Sequence, residues 1–318
     1  MVHRIGLLPI HFTTDEIDME ASPEKVFHLQ KKNTTESTID VTSHDIKIEG
    51  EGMSNEHLRL FPANKITKSP ILITRLRKGE ELEFTAKVVK SNGKELASFS
   101  PVSMCTLSYI EDKARITKDM GILDKERAFV RNEYGEPTSF LFSLESENGL
   151  PTKYIVDKAL EILYSKIAMV IAEVNNADST KVTIKPIDIP KNSTVSTDDS
   201  GAPIVSGIEF TFNDEDDTLG NLLQSLIHNE HVRPAAKKEA DNTASGGVGA
   251  DVMILDMDSV PIKYVGYLCP HPLEPRMVLS IRGKPSQATV FINALVASCH
   301  AINQVLDGVR TSWSAFAK

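Results

Sequence analysis

Met277-Val278-Leu279-Ser280-Ile281-Arg282-Gly283-Lys284-Pro285, with the apolar-striped run from Phe291 to Trp313 behind it, decides the architecture of this chain. Met277, Leu279 and Ile281 recur at every second position, the period of a strand with one buried face. Gly283-Lys284-Pro285 reads as a break in that strand, and the long run that follows has helical spacing. The same order occurs earlier, as Phe140, Phe142 and Leu144, then Gly149-Leu150-Pro151, then a striped segment from Ile155 to Ile171. Further upstream, Gly6-Leu7-Leu8-Pro9 precedes the first copy and Gly266-Tyr267-Leu268-Cys269-Pro270 precedes the second. Two copies of one half-domain in a single chain predict a covalently joined pseudo-dimer, so assembly leads catalysis as the expected role.

The landmark spacing sets the organisation. Gly6 and Gly149 lie much further apart than Gly266 and Gly283, leaving room for a small inserted domain in the first copy. The second copy has an alternating strand, Ile208-Glu209-Phe210-Thr211-Phe212, and a helix from about Thr218 to His228 ahead of Gly266. No equivalent precedes Gly6. The expectation is a truncated N-terminus, or a strand and helix supplied by another chain. The first half therefore reads as 1–12 and 126–180, and a mostly β insertion as 13–125. A linker covers 181–204, and the second half covers 205–318 with a mobile insertion at about 233–250. Within the β insertion, Ser37 to Ile48, Ile71 to Ile73, Leu82 to Val89 and Met104 to Ile110 read as β-type runs. Lys78-Gly79 reads as a turn and Asn92-Gly93 as a hairpin.

Composition excludes several classes. The 318 residues are 41% hydrophobic and 25% charged, ordinary values for a globular chain with room for two or three domains. No apolar run of the sequence approaches the roughly 20 residues a membrane-spanning helix needs. The three cysteines, Cys105, Cys269 and Cys299, are far apart and odd in number, which fits a reducing compartment and no disulfide framework. A net charge of −9 disfavours a broad phosphate-binding surface. Lys65, Lys68, Arg75, Arg77 and Lys78 form a local basic cluster whose plain reading is a solvated edge.

The richest motif runs from Asn213 through Asp214-Glu215-Asp216-Asp217-Thr218-Leu219-Gly220-Asn221-Leu222-Leu223 to Ile227. Four acids precede a helix N-terminus, where negative charge is favoured and Asp216, Asp217 or Thr218 can cap free N–H groups. Leu219, Leu222, Leu223, Leu226 and Ile227 share one apolar face. Gly220 interrupts it, although glycine inside a helix costs about 1 kcal/mol relative to alanine. A close approach by another backbone would offset that cost. The acids could also hold a hard cation, but capping and solvation account for them without one.

On these residues the chain resembles a known family. Asp214-Glu215-Asp216-Asp217-Thr218-Leu219-Gly220-Asn221, with Val265-Gly266-Tyr267 and Pro270-His271-Pro272-Leu273-Glu274-Pro275, is similar to the small assembly subunit of multisubunit RNA polymerases. That group comprises the eukaryotic eleventh subunit, its archaeal counterpart and the dimerisation domain of bacterial alpha. Residues 208–316 carry this likeness, apart from the insertion. His3-Arg4-Ile5-Gly6-Leu7-Leu8-Pro9-Ile10, Leu76-Arg77-Lys78-Gly79, Gly93-Lys94-Glu95, Ala97 and Ser100-Pro101-Val102 resemble the larger partner, the third subunit of RNA polymerase II and its archaeal counterpart. That likeness is patchier and covers about 2–172. Cysteines that hold zinc or an iron–sulfur cluster in some of those relatives have no counterpart here.

The resemblance implies an α+β fold in which two alpha-like dimerisation half-domains pack as a pseudo-heterodimer, with a mostly β domain inserted in the first. It implies a non-catalytic platform without cofactor or metal. The partners it implies are the largest and second-largest polymerase subunits and small accessory subunits, with DNA met only through the complex and no membrane. Single-chain fusions of this kind resemble arrangements of large DNA viruses. The expected location is accordingly the nucleus or a cytoplasmic viral factory, with packaging in the virion. Leu219, Gly220, Asn221, Leu223 and Leu226 are the expected seam residues, and His3, Arg4, His271, Pro272 and Glu274 the expected partner contacts. Two other readings stay open: an adaptor outside transcription, and an enzyme using His271, which sits between two prolines but has no nucleophile motif beside it.

Overall fold

The computed structural model describes residues 1–19, 25–50, 55–147, 149–176, 178–187, 204–233 and 262–317. Two compact units divide the chain, Met1–Val156 and Asp157–Lys318. Most of the insertion at about 233–250, and most of the stretch from Pro186 to Pro203, lie outside the described residues.

The first unit holds helices α1 (Val2–Gly6), α2 (Thr14–Asp18), α3 (Glu56–Leu60) and α4 (Ile122–Glu126). Its strands are β1 (Val26–Lys32), β2 (Ile39–Thr42), β3 (Lys47–Ile48), β4 (Leu72–Leu76), β5 (Glu81–Lys87), β6 (Val102–Tyr109) and β7 (Phe140–Ser146). They make three antiparallel sheets, β3-β1-β5, β2-β4 and β6-β7. Period-two burial puts Phe27 and Leu29 of β1 inward, where they meet Val41, Ile46, Ile48, Leu60, Phe61, Ile73 and Leu76. Phe27 and Phe61 meet edge-on at 5.3 Å. Asn33 is fully buried yet satisfied. Its amide donates to the carbonyls of Leu76 (2.9 Å) and Ser37 (2.7 Å), and its oxygen accepts from Thr35.

Gly6-Leu7-Leu8-Pro9 belongs to α1 and the loop after it, and Ile5, Leu8, Ile10 and Phe12 pack on the core of the small β sheets. Two sequence expectations change here. Met104 to Ile110 does not close those sheets: β6 pairs with β7, Leu107 opposite Phe142 and Tyr109 opposite Phe140. Asn92-Gly93 makes no hairpin. The Asn92 side-chain oxygen accepts from the N–H groups of Lys94 and Glu95, a local turn that leads towards a 3₁₀ segment, Ala97–Phe99. Lys78-Gly79 does turn, with Gly79 at φ 83°.

One ionic cluster fastens this unit. Arg59 of α3 donates to both oxygens of Glu16 on α2 (3.1 and 3.0 Å), and Glu56 pairs with both Arg59 and Lys25. The Arg59 guanidinium, helped by the Thr13 cap, pushes the Glu16 carboxyl down to about 2 from an ordinary 4.5. A depressed carboxyl contributes stability above its unfolded value and loses it as pH falls through the folded one. The contribution should therefore vanish between about pH 4.5 and pH 2. Urea titrations at stepped pH should show Glu16→Gln less stable than the parent at pH 6, with the two curves converging near pH 2. A constant gap across that range would contradict the assignment.

In the second unit, α5 (Thr152–Val174, from Asp157 onward), β8 (Val182–Ile187), β9 (Ile204–Asn213), α6 (Asp217–Ile227), β10 (Ile262–Leu268), β11 (Arg276–Gln287) and α7 (Ala288–Phe316) form one α+β layer structure. The sheet order is β10-β11-β9-β8, all antiparallel. Ile208, Phe210 and Phe212 of β9 stand beside Ile281, Leu279 and Met277 of β11, and all six are fully buried. Helices α6 and α7 pack on the sheet. By length and composition α7 could cross a membrane. Its inner face instead fills this core with Phe291, Leu295, Cys299 and Ile302.

The second copy keeps its strand-then-helix order, but Gly283-Lys284-Pro285 does not end the strand. The β9–β11 register shifts between Arg282 and Ser286, then pairing resumes and α7 starts directly at Ala288. That is bulge behaviour, which glycine and proline inside a strand favour. In the first copy, Gly149 does mark the turn between β7 and α5, at φ 74°. A Cβ there would lie 2.2 Å from the His11 ring, so the N-terminal motif and the Gly149-Leu150-Pro151 motif meet at this point.

Candidate assembly surface

Each acid of the 213–217 run has its own task. Asp214 sits at φ 62°, and its N–H donates to Pro275 (2.6 Å), fixing the run against the β10–β11 loop. Glu215 is buried and ion-paired with Lys166 of α5. Asp216 caps α6, accepting from the Thr218 N–H at 3.1 Å. Asp217 accepts from the Cys269 thiol at 3.4 Å. Burial first, then the Asp217 carboxylate, pushes both the Cys269 thiol and the Tyr267 hydroxyl up, so both stay protonated. Among the described residues no cluster of three metal-ligating side chains forms.

The sequence-selected residues separate into groups. Leu219, Gly220 and Leu223 are buried under their own sheet, Leu226 is half-buried, and Asn221 is exposed, accepting from the Ser225 hydroxyl. What approaches Gly220 is an aromatic ring, not a backbone: a Cβ there would lie 2.4 to 2.9 Å from Tyr267 of β10. Gln224 completes this contact by accepting from the Tyr267 N–H. His271, Pro272 and Glu274 lie together on the exposed β10–β11 loop, and Glu274 pairs with Arg276 at 3.3 Å. His271 accepts from the Leu273 N–H through Nδ1, so the loop itself engages that nitrogen. His3 and Arg4 are exposed on α1 of the first unit, where Arg4 reaches the Leu72 carbonyl at 3.4 Å. Of the basic cluster, Arg75 is paired with Asp40 and Lys78 with Glu36.

Sequence reasoning missed the contacts that seat α5. Leu160, Ile167, Val170 and Val174 are buried in the second unit, the Tyr164 hydroxyl donates to Asp307 of α7 at 2.6 Å, and Lys166 reaches Glu215. Strand β8 was also missed, although Val182 and Ile184 alternate. It pairs along β9 from Val182↔Phe212 to Ile187↔Gly207. Thus α5 and β8, which precede residues 188–203, share one interior with β9, α6, β10, β11 and α7. Cys299 fills the same core, where burial pushes its thiol up to about 12.

These features, open antiparallel sheets with long helices against them in a mixed α+β chain, are consistent with an alpha-like subunit of RNA polymerase. The comparisons point the same way. The chain is 24% identical over 198 residues to DNA-directed RNA polymerase subunit Rpo3 of Archaeoglobus fulgidus, covering 52% of this chain and 73% of that protein. It is 29% identical over 135 residues to subunit 3 of DNA-directed RNA polymerases II, IV and V of Arabidopsis thaliana, covering 38% of this chain and 42% of that protein. No protein-family model matches. Over part of its length the chain is thus similar to proteins named as the third subunit of DNA-directed RNA polymerases.

Proposed function

We propose that this chain is a non-catalytic assembly platform of a DNA-directed RNA polymerase, joining a part like the third subunit to a part like the eleventh. The observation that carries the reading is the composite second unit. Helix α5 and strand β8 from the region before residues 188–203 lie in one core with β9, α6, β10, β11 and α7. The second-largest and small subunits dock on this platform, the largest subunit joins afterwards, and DNA is met only through the complex. The exposed β10–β11 loop with His271, Pro272 and Glu274, and the exposed His3 and Arg4, are the proposed contacts.

The reading predicts that the tagged full chain, expressed in its native host, co-purifies with two very large polymerase subunits in one-to-one proportion. Loss of that proportion on replacing His271, Pro272 and Glu274 together, with the fold retained by circular dichroism, would locate the contact. Recovery of the chain alone would favour an adaptor outside transcription. Turnover by the isolated chain would favour an enzyme.

A further inference from the structure

No further inference is drawn: the strongest candidate, the exposed apolar face of the β6–β7 ribbon formed by Leu107, Tyr109, Phe140 and Phe142, carries nothing, because nothing in the structure shows what covers it.

Discussion

Gly220→Leu is expected to destabilise the second unit by about 3 kcal/mol, at the upper end of what overpacking a core costs. Even the first added carbon would enter the Tyr267 ring, at 2.4 Å from Cδ2, and three more heavy atoms follow it. Leucine is the better helix former by nearly 1 kcal/mol, so the clash must exceed that gain for any loss to be seen. The test is urea unfolding followed by the fluorescence of Trp313, the single tryptophan, which lies on α7. Removing the ring should separate the two readings of Gly220. In Gly220→Leu with Tyr267→Ala, the leucine finds the vacated space and most of the loss is recovered, a coupling that a double-mutant cycle measures. If Tyr267→Ala gives no recovery, something other than that ring enforces the glycine.

Lys166→Ala should cost about 3 kcal/mol, at the low end for breaking a buried ion pair, because Lys166 keeps 25% of its side chain exposed. The loss comes mainly from Glu215, whose side chain is 8% exposed and would be left without its partner. Coulomb attraction is not the source of most of the stability here, since desolvating both groups offsets much of it. The double variant Lys166→Met with Glu215→Leu should therefore recover most of the parental stability, whereas either single change should not. Unfolding midpoints of the four proteins decide the matter. Equal losses in the single and double variants would show that the pair's charges themselves stabilise the unit.

Much of this was legible in the sequence, for identifiable reasons. Helices α5 and α7 stand where apolar spacing put them, because a long stripe repeated over many turns overrides local ambiguity. Leu219, Leu223 and Ile227 are core for the same reason. The errors came from short signals that tertiary structure reinterprets. Asn92-Gly93 is a strong turn pair, but the Asn92 side chain spends its acceptor on its own turn and no strand follows to pair back. Gly283-Lys284-Pro285 ends nothing because β9 resumes its pairing beyond it. Strand β8 was hidden by Pro186, which argues against a central strand, yet β8 is an edge strand and tolerates it. Glu215 looked like one more acid of a solvated run. Only the fold shows that a lysine from a helix about fifty residues earlier reaches it.

The N-terminal echo failed for a related reason. Gly6-Leu7-Leu8-Pro9 and Gly266-Tyr267-Leu268-Cys269-Pro270 both run from a glycine through apolar residues to a proline, but the second is one residue longer, and it alone continues a ladder. Tyr267 stands opposite Leu279 and Leu268 opposite Val278. Around Gly6 the apolar side chains find a ready core in the small β sheets, so Ile5 and Leu8 pack there from a short helix and loop.

Cutting the chain once between residues 188 and 203 tests the central claim most directly. A specific protease site placed there, cleaved in the native protein, leaves α5 and β8 on one fragment and β9 through α7 on the other. Shared burial of Ile167 and Val170, the β8–β9 ladder and the Lys166–Glu215 and Tyr164–Asp307 contacts should hold the fragments together. Size-exclusion chromatography without denaturant should return a single one-to-one peak at the uncut position. Two separate peaks, each folded, would contradict the account.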